Sequence, residues 1–190
     1  MSGTLKPSGR TKSQDLRDCV KKLLIPFIHS RGFQDDRREL FKPDPSGHQR
    51  RRFMRWNRDR LELVEIQFDK HGRAKFVLNL GVVPPEGADN YLGHVNQPDA
   101  GIVHLPEHAR LYAGNPYLMC WFGFPSLRIP LLRNPSAEDV VGHATKLFPQ
   151  AEAWLREGIV GPNIRVQTGI AAVARTGSER AEPRNSKKKG

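Results

Sequence analysis

Cysteine is nearly absent: Cys19 and Cys120 are the only two in 190 residues, and neither belongs to a CxxC pair. That excludes a disulfide framework and a cysteine-rich zinc site, and leaves two thiols in a reducing cytoplasm as the expectation. The bulky neighbours of Cys120 in LMCWF point to a buried, inert group. Long hydrophobic runs are missing too. No stretch approaches the ~18 apolar residues of a membrane span, and the opening MSGTLKPSGRTKSQ lacks the apolar segment a signal peptide needs. There is no GxGxxG, P-loop or GxSxG, so the usual signatures of dinucleotide, nucleoside-triphosphate and serine-hydrolase chemistry are absent.

What the chain does have is proline, glycine and positive charge. With 37% hydrophobic residues, 15 Pro and 17 Gly, part of its length is expected to be loop or tail around a single domain. The net charge is +11, but Lys6, Arg10 and Lys12 put +3 in residues 1 to 13, and six basic against two acidic groups put +4 in 175 to 190. Residues 50 to 60, where six Arg face one Asp, more than account for the remaining excess.

Apolar periodicity places the elements. Leu16, Cys19, Val20, Leu23, Leu24, Phe27 and Ile28 fall on one helical stripe over 14 to 31, with Ser13 as N-cap, a bend at Pro26, and Gly32 in the left-handed position before Phe33. Residues 34 to 49 read as a Pro-broken loop with a short extended piece at 39 to 42. Residues 51 to 57 and 61 to 69 read as strands, the second apolar on both faces and therefore bulged or buried on both sides. A turn at 70 to 73 leads to the clearest strand, 75 to 83, which sends Phe76, Leu78, Leu80 and Val82 one way. After a long connection, 102 to 105, 118 to 122 and 128 to 132 are short strand candidates. Ser136 and Asp139 form a capping box for a helix with stripe Val140, Val141, Ala144, Leu147, Phe148, Ala151 and Leu155, closed by Gly158 and either kinked or divided at Pro149.

An apolar helix ending in Gly32-Phe33, then Phe53-Met54-Arg55, Gln67 in a strand, and Phe76 followed by Asn79-Leu80-Gly81, resembles the bacterial domain-of-unknown-function family 4304. Arg110, Trp121 and the C-terminal helix extend the likeness over 16 to 157, closest up to Val83. The resemblance implies an α+β fold and brings no agreed activity or catalytic residues. The Pro-rich loop at 42 to 49 and both tails depart from it.

Few constellations carry chemistry. RRRFMRWNRDR interleaves arginine with Phe53 and Trp56, a pattern that can pair phosphates and stack bases. As a single strand it puts Arg50, Arg52, Met54, Trp56, Arg58 and Arg60 on one face and Arg51, Phe53 and Arg55 on the other; a charge-protected sheet edge needs no ligand. His104 and His108 are four apart, but Pro106 breaks the helix that the HExxH metal geometry requires, which leaves turn histidines. Asp35-Asp36 and Glu138-Asp139 are accounted for by solvation and capping. Gln67 and Asn79 sit in otherwise apolar strands, so each needs a partner if buried; hydrogen bonding within the sheet or a small ligand pocket would supply one.

The expected architecture is α+β: an N-terminal helix, an antiparallel sheet of short strands, and a C-terminal helix packed on one face. Residues 14 to 174 form the domain between a flexible tail at 1 to 13 and a disordered basic tail at 175 to 190. The expected function is a cytoplasmic binding or interaction domain, not an enzyme, with no cofactor or metal. Its partner is expected to be a protein rather than a membrane. The alternative is nucleic acid held by Arg50, Arg52, Arg55, Trp56, Arg58 and Arg60 with the basic tails.

Overall fold

The computed structural model describes residues 11–38, 50–90, 93–118, 120–124 and 135–168. Its first helix begins earlier than the apolar stripe suggests. Thr11, not Ser13, is the N-cap of α1 (Lys12–Cys19), in a capping box with Gln14, so residues assigned to the N-terminal tail belong to the helix. A π-helical turn, Val20–Leu24, joins α1 to α2 (Ile25–Ser30) just before Pro26, which has no N–H to return to the preceding turn. The wider turn shifts the stripe. Leu24, Ile25 and Ile28 are buried while Leu23 is 47% exposed. Gly32 takes φ +85° as expected, and Phe33 folds back into the core.

The sheet is antiparallel throughout. Its strands are β1 (Gln34–Asp35), β2 (Arg50–Asn57), β3 (Arg60–Phe68), β4 (Lys75–Val83), β7 (Glu107–Leu111) and β9 (Ile164–Thr168), in the order β1-β2-β3-β4-β7-β9. The two-residue β8 (Phe122–Gly123) pairs with the start of β4, and β5 (Ala88–Asn90) with β6 (Gly93–Val95) forms a separate ribbon. Val64↔Leu80, Ile66↔Leu78 and Phe68↔Phe76 lie on the face that receives the helices, as the alternation in β4 requires. On that face α3 (Ala137–Glu157) presents Phe148 edge-on to Phe27 at 5.4 Å and to Phe33 at 6.2 Å. The Ser136–Asp139 capping box and left-handed Gly158 bound α3 as read from sequence, and Pro149 sits inside one continuous helix.

The opposite face carries a smaller core. Leu61, Leu63 and Val83 pack beneath Ala88, Ala100 and Leu105. The covering segment closes tightly over Gly81, where a Cβ would come 2.5 Å from Leu105 Cδ1. β3 is therefore buried on both sides with an unbroken register, which settles its two-sided pattern without a bulge.

Several readings are corrected. Residues 102–104 form a 3-10 turn rather than a strand, 116–118 form another, and of the described residues in the 118 to 122 candidate only Phe122 is strand. Gln34–Asp35 is a strand because it pairs with Phe53 and Met54, not because of its own pattern. Cys120 is half-buried rather than enclosed, while Cys19 is buried and both are free thiols. The candidates at 39 to 42 and 128 to 132, and the C-terminal tail, lie outside the described residues. Among the described residues no helix is long and apolar enough to cross a membrane.

Candidate functional site

Strand alternation sorts the arginine-rich segment into three environments. Arg50 and Arg52 point to the second sheet face, where Arg52 Nε lies 2.9 Å from Glu65 Oε2 and Arg50 Nη1 3.4 Å from Glu65 Oε1. Arg55 turns to the helix side. It holds the fully buried Glu62, donates to the Arg31 carbonyl, reaches Glu152 at 3.4 Å, and lies 4.2 Å over the Phe33 ring. Arg58 and Arg60 leave the expected face altogether. β2 ends at Asn57, Arg58–Asp59 is a two-residue turn, and Arg60 starts β3 opposite Asn57 and donates to the Arg156 carbonyl at 2.8 Å. These five arginines are thus not one basic surface. Trp56 is 47% exposed and lines a cleft of about 470 Å³ with Arg55, Asn57, Arg58, Arg60 and Arg156.

The two polar strand residues, Gln67 and Asn79, come together on the second face. Asn79 is almost fully buried and spends its whole amide: Nδ2 donates to Glu65 Oε1 at 2.8 Å and to Gln67 Oε1 at 2.9 Å, while Oδ1 accepts from Arg110 Nε at 2.7 Å. Arg110 in turn lies directly opposite Arg165 in the β7–β9 ladder, and His108 lies opposite Gln167. Arg52, Glu65, Asn79, Arg110 and Arg165 therefore form one polar row across five strands. Its carboxylate end is neutralised by Arg50 and Arg52. At the other end, neither Arg110 nor Arg165 has a carboxylate partner among the described residues.

His108 flanks that end, and Tyr112 follows β7 in the chain. His108 Nε2 lies 3.0 Å from Gln167 Oε1; donating there leaves Nδ1 as a bare acceptor, and Nδ1 is buried with no hydrogen-bond partner among the described residues. Burial pushes the imidazole below its usual pKa, and Arg110 adds to this against the pull of Gln167 and Glu65. Tyr112 is fully buried, belongs to neither hydrophobic core, and its hydroxyl has no hydrogen-bond partner among the described residues. His108 and Arg110 alternate along β7 and so address one side of the sheet, and Tyr112 follows directly after the strand.

No group of three or more potential metal ligands occurs among the described residues. His104 is used locally, its Nδ1 accepting from the Gly101 N–H at 3.0 Å. The Arg110–Arg165 pair was not legible as a site, because it depends on β9 pairing with β7. A signal for the other end was present: Glu65, in an apolar strand beside an arginine-rich one, had to be a buried carboxylate seeking cations. Comparisons with protein-family models, curated proteins and solved structures give no match to this chain.

Proposed function

We propose that this protein is a binding domain without catalytic chemistry, and that its site is the Arg110–Arg165 end of the second sheet face. The ligand is a small molecule carrying a carboxylate or phosphate group. The observation that carries this reading is the cross-strand juxtaposition of two arginines with no carboxylate partner among the described residues. Like charges directly opposite in a ladder destabilise a sheet, and an anion in the gap reverses that sign. Guanidinium forks match carboxylate and phosphate oxygens in pairs. The Tyr112 hydroxyl and His108 Nδ1 supply a donor and an acceptor that have no partner among the described residues. Arg110, Arg165 and His108 are half-buried and Tyr112 is buried, which suits a small ligand better than a flat partner surface. Cys19 and Cys120, both free, fit a cytoplasmic setting.

The test is a nuclear magnetic resonance titration of the full chain with inorganic phosphate and with citrate, following the arginine Nε–H signals. Saturable shifts at Arg110, Arg165 and His108 are expected, and they should persist in Arg58→Gly, which leaves this site intact. Unsaturable shifts spread evenly over all exposed arginines would refute the site.

A further inference from the structure

The Trp56 cleft is separate from the polar row and calls for an occupant of its own. Six residues line it: Arg55, Trp56, Asn57, Arg58, Arg60 and Arg156, with no carboxylate among them. Arg55 and Arg156 are tied to Glu152 beneath, Arg55 also to Glu62. Arg60 spends one nitrogen on the Arg156 carbonyl, and neither it nor Arg58 has an acidic partner among the described residues. The cleft thus combines a half-exposed indole with two uncompensated guanidinium groups.

The turn itself is strained at this spot. Arg58 takes φ +58°, alone among the described non-glycine residues in the left-handed region. Gly or Asn adopts such a position at less cost, and an arginine held there spends stability to present its side chain. We infer that the cleft binds a nucleotide unit, the base stacking on Trp56 and the phosphate held between Arg58 and Arg60. An aromatic face with flanking cations is the chemistry that recognises a base and its phosphate together. The volume of about 470 Å³ lies within the range of small-molecule sites. The same chemistry serves a free nucleotide and a strand of nucleic acid, and the probes below separate the two.

The experiment uses the full chain, with adenosine monophosphate and a short labelled single-stranded oligodeoxythymidine as probes, read by fluorescence across a salt series. Trp56→Ala should weaken binding by about ten-fold or more without altering the salt dependence, and Trp56→Phe should restore most of it. Arg58→Gly should weaken binding while raising the melting temperature, because it removes the strained residue and one phosphate contact together. For the oligonucleotide it should also flatten the slope of log affinity against log salt by about 0.7. Binding of the mononucleotide with the same mutational pattern assigns the cleft to free nucleotides; a pattern seen with the oligonucleotide alone assigns it to strands. Failure of both probes to bind, affinities within two-fold of wild type in Trp56→Ala and Arg58→Gly, or displacement of both probes by polyglutamate as readily as by unlabelled probe would overturn the inference.

Discussion

Arg55 and Glu62 stand directly opposite one another in the β2–β3 ladder, and the Arg55 guanidinium grips a carboxylate with no exposed surface. Asn57 Nδ2 takes the other oxygen at 2.7 Å. One residue of the arginine-rich segment is therefore a structural cation.

Arg55→Ala should accordingly cost about 3–5 kcal/mol in urea unfolding, since it strands a buried charge. Replacing both partners, Arg55→Met with Glu62→Leu, should recover part of that loss. A neutral Arg55→Ala would mean that water reaches Glu62.

Asp69 gives the fold an acid dependence. Burial alone would raise its pKa, but hydrogen bonds from Arg73 and the His71 N–H, with the charges of Arg73 and Lys75, hold it at about 2 against the ordinary 3.8. The folded carboxyl is the stronger acid, so its stabilisation is complete above the ordinary value and is lost as pH falls through about 2. Because the Arg73 side chain is 60% exposed, screening reduces the effect to roughly 1 kcal/mol. Urea midpoints of wild type and Asp69→Asn should differ at pH 7 and converge on acidification; parallel curves would contradict the assignment.

Phe76 is enclosed by Phe122, stacked at 5.3 Å, and Phe68 at 6.0 Å. Phe76→Ala should cost about 3–5 kcal/mol. On the other face, Gly81→Ala drives a Cβ toward Leu105 and should cost about 1–3 kcal/mol by overpacking, a loss that Leu105→Ala in the same chain partly relieves. Denaturant unfolding checks both, and a Gly81→Ala chain as stable as wild type would show that the covering segment yields freely.

These strands also show what the sequence could reveal. β4 and α3 were legible because each satisfies its own pattern, an uninterrupted alternation in one and a capping box with a closing glycine in the other. β1, β7 and β9 were not, because GLU-HIS-ALA-ARG-LEU at 107–111 or a two-residue piece at 34–35 becomes a strand only by pairing with a distant neighbour. The same holds for the candidate site. Gln67 and Asn79 stood out as polar residues in apolar strands, whereas Arg110 and Arg165 acquire meaning only through the β7–β9 register. Arg58 and Arg60 were misplaced because the turn at Arg58–Asp59 contains no glycine to announce it.

The proposed site makes a demand of opposite signs on one residue. If Arg110 and Arg165 repel each other until an anion lies between them, Arg165→Gln should leave the free protein as stable as wild type or more so, by about 0.2–1 kcal/mol, while removing its ability to be stabilised by ligand. The measurement is the melting temperature of wild type and Arg165→Gln across a series of inorganic phosphate concentrations at constant ionic strength. The account predicts a rising, saturating curve for wild type and a markedly shallower one starting at or above it for Arg165→Gln. A variant that melts lower than wild type yet rises with phosphate to the same extent would contradict it.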